Sequence, residues 1–114
     1  MIIAVGLDLV EVSRIAQAMK NPAFLKRILT KAEREVITTP LRIAGRWAAK
    51  EAIAKAVGLH LSWQDVEILP GPGGEPLVSI SHADWKPEKT KIHLSITHEK
   101  GHAAAVAVLE QLVG

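Results

Sequence analysis

The stretch between Pro40 and Gly58 constrains the fold of this chain more than any other part of its 114 residues. Proline is favoured in the first turn of a helix and glycine just after the last turn, so together they predict a helix from Leu41 to Val57. The stretch is rich in alanine, whose small side chain lets neighbouring elements approach closely. We therefore expect one long helix against which other elements pack.

The residues before this helix predict a strand and three shorter helices. Ile2 to Leu9 is apolar and rich in β-branched residues, which is typical of a buried strand, and it ends near Asp8. Val10 to Lys20 has the apolar spacing of a helix. Further helices begin at Asn21-Pro22, an N-cap followed by proline, and at Thr30-Lys-Ala-Glu33, which matches a capping box.

The second half of the chain changes to short strands separated by turns. A strand over residues 66–69 leads into Pro70-Gly-Pro-Gly-Gly-Glu-Pro76, which no helix could cross, and Leu77 to Ser81 is the expected hairpin partner. Two more strands, over 92–97 and 103–109, flank a turn at 99–101. The predicted fold class is α+β in a single domain over residues 1–114, with an N-terminal strand and helices followed by an antiparallel β-meander.

Composition excludes several classes of protein. The chain has no cysteine, which rules out disulfides, thiolate zinc sites, iron–sulfur clusters and a cysteine nucleophile. No apolar run approaches the roughly 20 residues that span a bilayer, and the N-terminus lacks the pattern of a signal peptide. We therefore expect a cytoplasmic protein. The pI of about 9.1 arises from a net charge of only +2, because the chain has neither cysteine nor tyrosine to titrate below lysine.

The basic side chains are concentrated in one part of the sequence. Residues 12–50 contain nine lysines and arginines and only two acids, a local excess of about +7. This block is either an ordinary solvated helix surface or a docking surface for an acidic partner.

Three charged residues suggest chemistry at a phosphate. Asp8 ends the first strand, where it could act as an N-cap or as a rigidly held ligand. Glu51 and Lys55 lie four residues apart in the alanine-rich helix and so share one of its faces. They could be an ordinary surface pair or part of a site. If Asp8 and Glu51 meet, their carboxylates favour Mg²⁺, and Lys55 adds positive charge, as phosphoryl or phosphodiester transfer requires.

The histidines and glycines add little by themselves. The five histidines include no HExxH pair, and the familiar glycine-rich phosphate loops are missing. Val78-Ser-Ile-Ser-His82 and Leu94-Ser-Ile-Thr-His98 are nearly the same sequence, so two histidines compete for any role given to one of them.

Three motifs together closely resemble a known family. They are Gly6-Leu-Asp8-Leu-Val-Glu11, the helical run Gly45-Arg-Trp-Ala-Ala-Lys-Glu51-Ala-Ile-Ala-Lys55-Ala56, and Leu94-Ser-Ile-Thr-His98 followed by three alanines from Ala103. Their order and spacing between Met1 and Leu112 resemble the bacterial holo-[acyl-carrier-protein] synthases, small 4′-phosphopantetheinyl transferases.

The resemblance implies an Mg²⁺-dependent transfer of the 4′-phosphopantetheine arm from coenzyme A to a serine of apo acyl carrier protein. Adenosine 3′,5′-bisphosphate is the by-product, and the activity serves fatty acid biosynthesis and lipid metabolism. By similarity, Asp8 and Glu51 would ligate Mg²⁺, and Glu51 would help to deprotonate the serine directly or through a metal-bound water. Lys55 would stabilise charge on the phosphates.

The resemblance also implies binding surfaces. Coenzyme A would be bound by Arg46, Lys55, Gly58, Pro76, Ser95 and His98. His98 matches the family motif where His82 does not, and Arg14 is the expected contact for the carrier protein, with Lys20, Lys26 and Arg27 as looser candidates. The family fold is a homotrimer with sites between subunits. The alternative is a non-enzymatic basic module that binds nucleic acid or an acidic protein, which would leave the spacing of the acids and Lys55 as coincidence.

Overall fold

The computed structural model describes residues 1–112, an α+β fold built around one long helix. Its elements are β1 (Ile2–Glu11), α1 (Val12–Ala18), α2 (Pro22–Ile28), α3 (Lys31–Val36), α4 (Pro40–Val57), β2 (Val66–Pro70), β3 (Pro76–Ile80), β4 (Thr90–Glu99) and β5 (His102–Gln111). A single 3₁₀ turn at Trp63–Asp65 precedes β2. Residues 113 and 114 of the predicted domain lie outside the described residues.

The local start and stop signals of the helices are confirmed. The Asn21 side chain accepts a hydrogen bond from the backbone N–H of Ala23 at the start of α2. Thr30 and Glu33 form both halves of a capping box at the start of α3. Helix α4 ends at Gly58, whose φ of 73° is the left-handed conformation that favours glycine at this position.

The first strand is longer than the sequence pattern predicts. We expected it to end near Asp8 and a helix to begin at Val10, but β1 continues to Glu11. The added residues pair with β5, with Glu11 opposite His102, and this pairing extends the strand beyond its apolar run. Helix α1 is correspondingly short.

The strands form two separate antiparallel sheets. One has the order β1-β5-β4 and the other is the β2-β3 hairpin. The predicted meander is therefore interrupted, because β3 does not pair with β4 and the β4-β5 hairpin instead pairs with β1. The turn of that hairpin places both Lys100 and Gly101 at positive φ, as tight two-residue hairpins require.

Helix α4 packs across one face of the β1-β5-β4 sheet and supplies much of the core. Its buried apolar residues are Ile43, Ala44, Ala48, Ala49, Ala52, Ile53 and Ala56. They pack with the alternate buried residues of β5, which are Ala103, Ala105, Ala107 and Leu109. On another side, the rings of Phe24, Trp47 and Trp63 stack in sequence, with centroids 5.8 and 4.5 Å apart. In the described part of the chain, no helix combines the length and apolarity that crossing a membrane requires.

Candidate active site

Strand β1 and helix α4 touch at a position that only glycine permits. A Cβ added to Gly6 would lie 1.9 Å from the backbone oxygen of Ala52. Alternate residues of a strand face the same side, so Asp8 and Val10 share the side of β1 that Gly6 turns toward the helix. Val10 is buried there, and Asp8 keeps only 16% of its side chain exposed.

Lys55 joins Asp8 to the helix. Its amino group donates a hydrogen bond to Oδ1 of Asp8 at 3.2 Å and another to the backbone oxygen of Leu7 at 2.9 Å. Asp8 is therefore not the N-cap of α1, a position that Glu11 takes. The isolated surface pair that the spacing of Glu51 and Lys55 allowed is also not what forms, because the lysine reaches across to β1.

Glu51 lies one helical turn before Lys55. Residues four apart share a helix face, so Glu51 is on the side of α4 from which the lysine reaches Asp8. Its side chain is half-buried and borders a small cavity of about 90 Å³. The other lining residues are Lys50, Ala54, Leu61, Ser62, Trp63 and Val66. The structure thus brings Lys55 into contact with Asp8, and Glu51 lies one helical turn away on the same face of α4.

Asp8 and Glu51 are the two carboxylates that this part of the fold could offer to a cation. Within residues 1–112, no group of three or more histidine, aspartate or glutamate side chains is placed to hold a metal ion. A cation held by two carboxylates alone would keep several coordination positions for water or substrate. Mg²⁺ has this preference, whereas a structural zinc site needs four protein ligands.

Arg46, and Gly45 against which His98 packs, belong to the first half of α4. The Arg46 side chain donates from Nε to the backbone oxygen of Ile68 at 3.0 Å. Burial lowers the pKa of its guanidinium, and the nearby Arg42 acts in the same direction while Glu33 opposes it. The His98 ring packs on the preceding residue of the helix, with Nε2 3.0 Å from the point that a Cβ on Gly45 would occupy.

Arg46 is well separated along α4 from the junction around Asp8. Arg46 and Lys55 are nine residues apart, roughly 14 Å along the helix axis at 1.5 Å per residue. His98 also borders a cavity of about 480 Å³ at the end of the β4-β5 hairpin. The other lining residues are Leu9, Thr97, Glu99, Lys100, His102, Ala103 and Ala104.

The remaining residues expected to bind coenzyme A are dispersed over the protomer. Ser95 and His98 occupy odd and even positions of β4 and so lie on opposite faces of its sheet, with Ser95 exposed. Gly58 is exposed at the end of α4, and nothing lies within 4 Å of a Cβ added there. Pro76 begins β3 opposite Pro70. One protomer therefore does not bring these residues to a single surface.

Six of the nine basic residues of the block are exposed, Arg34 and Arg46 are half-buried, and Lys50 is buried. Arg14, Lys20, Lys26 and Arg27 project from α1 and α2 or the turn between them. Lys20 and Arg27 border an open groove of about 530 Å³, together with Gln17, Ala18, Asn21, Ala23 and Phe24. Lys50 was counted in this block, but it is only 3% exposed and contacts the equally buried Glu33. Sequence reasoning missed this pair, although the capping box had already singled out Glu33.

Comparison with known proteins assigns the chain to a family. The model of the 4′-phosphopantetheinyl transferase superfamily matches residues 4–108. A holo-[acyl-carrier-protein] synthase of an Exiguobacterium species is 44% identical, covering 97% of this chain and 94% of the relative. The same enzyme from Halalkalibacterium halodurans is 42% identical over 98% of both chains.

Solved structures agree with these sequence matches. The holo-[acyl-carrier-protein] synthase of Bacillus anthracis, in complex with coenzyme A (3′,5′-ADP), superimposes with a TM-score of 0.85 at 36% identity. The match covers 98% of this chain and 99% of that one. The Helicobacter pylori enzyme in complex with coenzyme A gives 0.84 at 32% identity, covering 93% and 99%. The chain therefore belongs to the holo-[acyl-carrier-protein] synthase family of the 4′-phosphopantetheinyl transferase superfamily.

Proposed function

We propose that this protein transfers the 4′-phosphopantetheine arm of coenzyme A to a serine hydroxyl of apo acyl carrier protein. The products are holo carrier protein and adenosine 3′,5′-bisphosphate. The observation that carries the proposal is the junction of β1 and α4, where Lys55 contacts Asp8 and Glu51 lies one turn away. Solved relatives that hold coenzyme A support the choice of substrate.

Mg²⁺ is the cation that this junction fits best. Two carboxylates supply hard oxygen ligands and leave positions for water and phosphate. Asp8 and Glu51 would hold the ion, which when bound would neutralise charge on the pyrophosphate of coenzyme A. The donor chemistry of these side chains supports this assignment, and a calorimetric titration with Mg²⁺ and coenzyme A would measure it directly.

The bonds made and broken define the work of each side chain. The serine Oγ attacks the phosphorus that carries the pantetheine arm, and the bond from that phosphorus to the bridging oxygen of the pyrophosphate breaks. The serine proton passes to Glu51, directly or through an intervening water. Lys55 leaves Asp8 for the phosphates and offsets the negative charge that grows on the departing bisphosphate.

The remaining coenzyme A contacts and the oligomeric state are proposed together. Arg46, Gly58, Pro76, Ser95 and His98 are the further coenzyme A contacts. Because one protomer spreads these residues over several surfaces, we infer that each site lies between subunits of a homotrimer.

The outer face of the larger sheet supports this assembly. Ile3, Val5, Leu7 and Leu9 alternate along β1 on that face and are between 49% and 66% exposed. An apolar row of this length on a sheet is typical of a protein interface. Ser95 lies on the same face, in register with Val106, so a neighbouring subunit would approach it. The molar mass in solution, measured by light scattering, tests the trimer.

The basic residues of α1 and α2 would bind the acidic carrier protein. Arg14 is the proposed direct contact, and Lys20, Lys26 and Arg27 extend the positive surface. Complementary charge speeds the encounter and weakens with added salt. We place the reaction in the cytoplasm, in the supply of carriers for fatty acid biosynthesis, with residues 1–114 acting as a single domain.

Mass spectrometry of an apo carrier protein tests the proposed function. The carrier incubated with the protein, coenzyme A and Mg²⁺ should gain the mass of the arm, and a chelator should prevent the gain. Glu51→Gln should abolish transfer and leave the circular dichroism spectrum unchanged. No mass gain by the unaltered protein would overturn the assignment and favour the non-enzymatic basic module. Full activity of Glu51→Gln would remove Glu51 from the reaction.

A further inference from the structure

A fully buried ion pair lies directly beside the candidate active site. Glu33 is 0% exposed and Lys50 is 3% exposed, and their closest charged atoms are 2.6 Å apart. The Lys50 amino group also donates to the backbone oxygens of Ile28 at 2.8 Å and Trp63 at 3.0 Å. All three of its protons therefore have acceptors on elements other than α4.

Glu33 extends the same network to two more backbone groups. Its Oε1 accepts from the N–H of Thr30 at 2.8 Å, and its Oε2 accepts from the N–H of Ile68 at 2.8 Å. The pair thus connects α4 to the end of α2, the start of α3, the 3₁₀ turn and β2. Among the described residues, no buried side-chain nitrogen or oxygen lacks a hydrogen-bond partner.

Stability alone does not explain an ion pair at this place. Removing two charges from water costs several kcal/mol per ion, and apolar residues of similar volume often stabilise a protein as well or better. Burial accordingly lowers the pKa of the Lys50 amino group, although its hydrogen bond with Glu33 opposes the shift. Charged hydrogen bonds instead restrain geometry, because the three acceptors together fix where the Lys50 amino group must lie.

Lys50 immediately precedes Glu51 in α4, so its position determines that of the next side chain. Gly6 allows α4 to approach β1 on one side, and Lys50 joins it to the end of α2 and the 3₁₀ turn on another. A helix held at both places has little freedom to rotate about its axis or slide along it. Glu51 and Lys55 then keep one position relative to Asp8.

We propose that Glu33 and Lys50 are positioning residues of the transferase, which fix the rotation of α4 and thereby align Glu51 and Lys55 with Asp8. The inference rests on the proposed function. Reactions of this kind need their groups within a fraction of an ångström, and a displacement of 1 Å can cost about 100-fold in rate. A loosened α4 would still bind coenzyme A through the contacts proposed outside the helix, Pro76 of β3 and Ser95 and His98 of β4. The defect should therefore fall on kcat more than on KM.

Lys50→Met tests the proposal, and its effect is compared with that of a variant that changes only apolar packing in the same helix. Ile43→Ala serves as the control, because Ile43 is on the same helix, 1% exposed and purely apolar. Both variants are assayed at a temperature where circular dichroism shows them folded. We expect Lys50→Met to lower kcat about 100-fold with the KM for coenzyme A within about threefold, and Ile43→Ala to keep kcat within about twofold.

Glu33→Gln is the second variant, needed if Lys50→Met does not fold. It keeps one acceptor oxygen and leaves Lys50 its two backbone acceptors, so a smaller loss of kcat, about tenfold, is expected with the same split from KM. The inference would be overturned if the folded test variant, Lys50→Met or Glu33→Gln, lost only as much kcat as Ile43→Ala. It would also be overturned if that variant kept the kcat of the unaltered protein. Failure of the unaltered protein to transfer the arm would overturn the proposed function and this inference with it.

Discussion

Gly6→Ala would test the contact on which the candidate site depends. The new Cβ would lie 1.9 Å from the backbone oxygen of Ala52, 2.9 Å from its carbonyl carbon and 3.0 Å from the nitrogen of Ala56. All three atoms belong to the backbone of α4, so no side-chain rotation can relieve the clash. Ordinary contact begins at 3.4 Å, and β1 and α4 must therefore move apart by roughly 1.5 Å, a displacement as large as those that misalign catalytic groups.

This displacement sets the expected magnitudes. Overpacking of a core costs about 1–3 kcal/mol, and a rigid backbone neighbour places Gly6→Ala at about 3 kcal/mol. With a urea slope of about 1.5 kcal/mol per molar, the unfolding midpoint should fall by about 2 M. The carboxylate of Asp8 moves with β1 while Glu51 and Lys55 stay with α4. We therefore expect kcat to fall about 100-fold in the fraction that remains folded.

Urea unfolding followed by tryptophan fluorescence, at one fixed protein concentration, measures the fall in the unfolding midpoint. Gly74→Ala is the matched control, because Gly74 has a φ of 84° and no atom within 4 Å of an added Cβ. Its cost is backbone strain alone, about 1–2 kcal/mol. A Gly6→Ala midpoint equal to that of Gly74→Ala would refute the argument, since it would show that β1 and α4 do not approach as closely as described.

The remaining predictions concern single charged side chains. Lys55→Met removes the amine that lies 3.2 Å from Asp8, and kcat should fall about 10²- to 10³-fold in a folded protein; an unchanged kcat would exclude Lys55 from the reaction. Arg14→Ala should raise the KM for carrier protein about 3- to 10-fold, mainly at low salt; an equal change in the KM for coenzyme A would contradict a docking role. His93→Ala removes the hydrogen bond that lowers the pKa of Glu110 below its usual value of 4.5. Since the carboxyl of Glu110 has the lower pKa in the folded state, this bond stabilises the protein above about pH 4.5 and its contribution is lost as the pH falls through the lowered value. The difference in urea midpoint between His93→Ala and the unaltered protein should therefore disappear in acid, and a constant difference down to pH 3 would refute the assignment.

Local signals in the sequence predicted the helices well, because caps and breakers act within a few residues. The capping box at Thr30 and Glu33 and the stop at Gly58 are where the sequence puts them. The pairing of strands was harder to predict, since it depends on partners far along the chain. Nothing near Val10 indicates that the strand continues to Glu11, which is decided by pairing with His102.

In the candidate site, too, features set by nearby residues could be predicted and contacts between distant parts of the chain could not. The spacing of Glu51 and Lys55 on one helix face could be predicted, and the motifs pointed to Asp8 as their neighbour. The sequence could not predict that Lys55 bonds Asp8 across the junction, because that depends on how closely β1 approaches α4. It also assigned Lys50 to the exposed basic block, since charge counts do not distinguish a solvated lysine from one buried against Glu33.

The pairing of β1 with β5 has a consequence for the order of folding. Gly6 lies opposite Ala107 and Leu7 opposite Val106, so the partners are roughly a hundred residues apart in the chain. During synthesis β1 leaves the ribosome well before β5 and has no strand to pair with until roughly a hundred more residues have followed. Its apolar row then remains exposed while α4 and the β2-β3 hairpin can already form. Completion of the larger sheet is therefore a late event, and the unpaired β1 is the segment most exposed to aggregation before it.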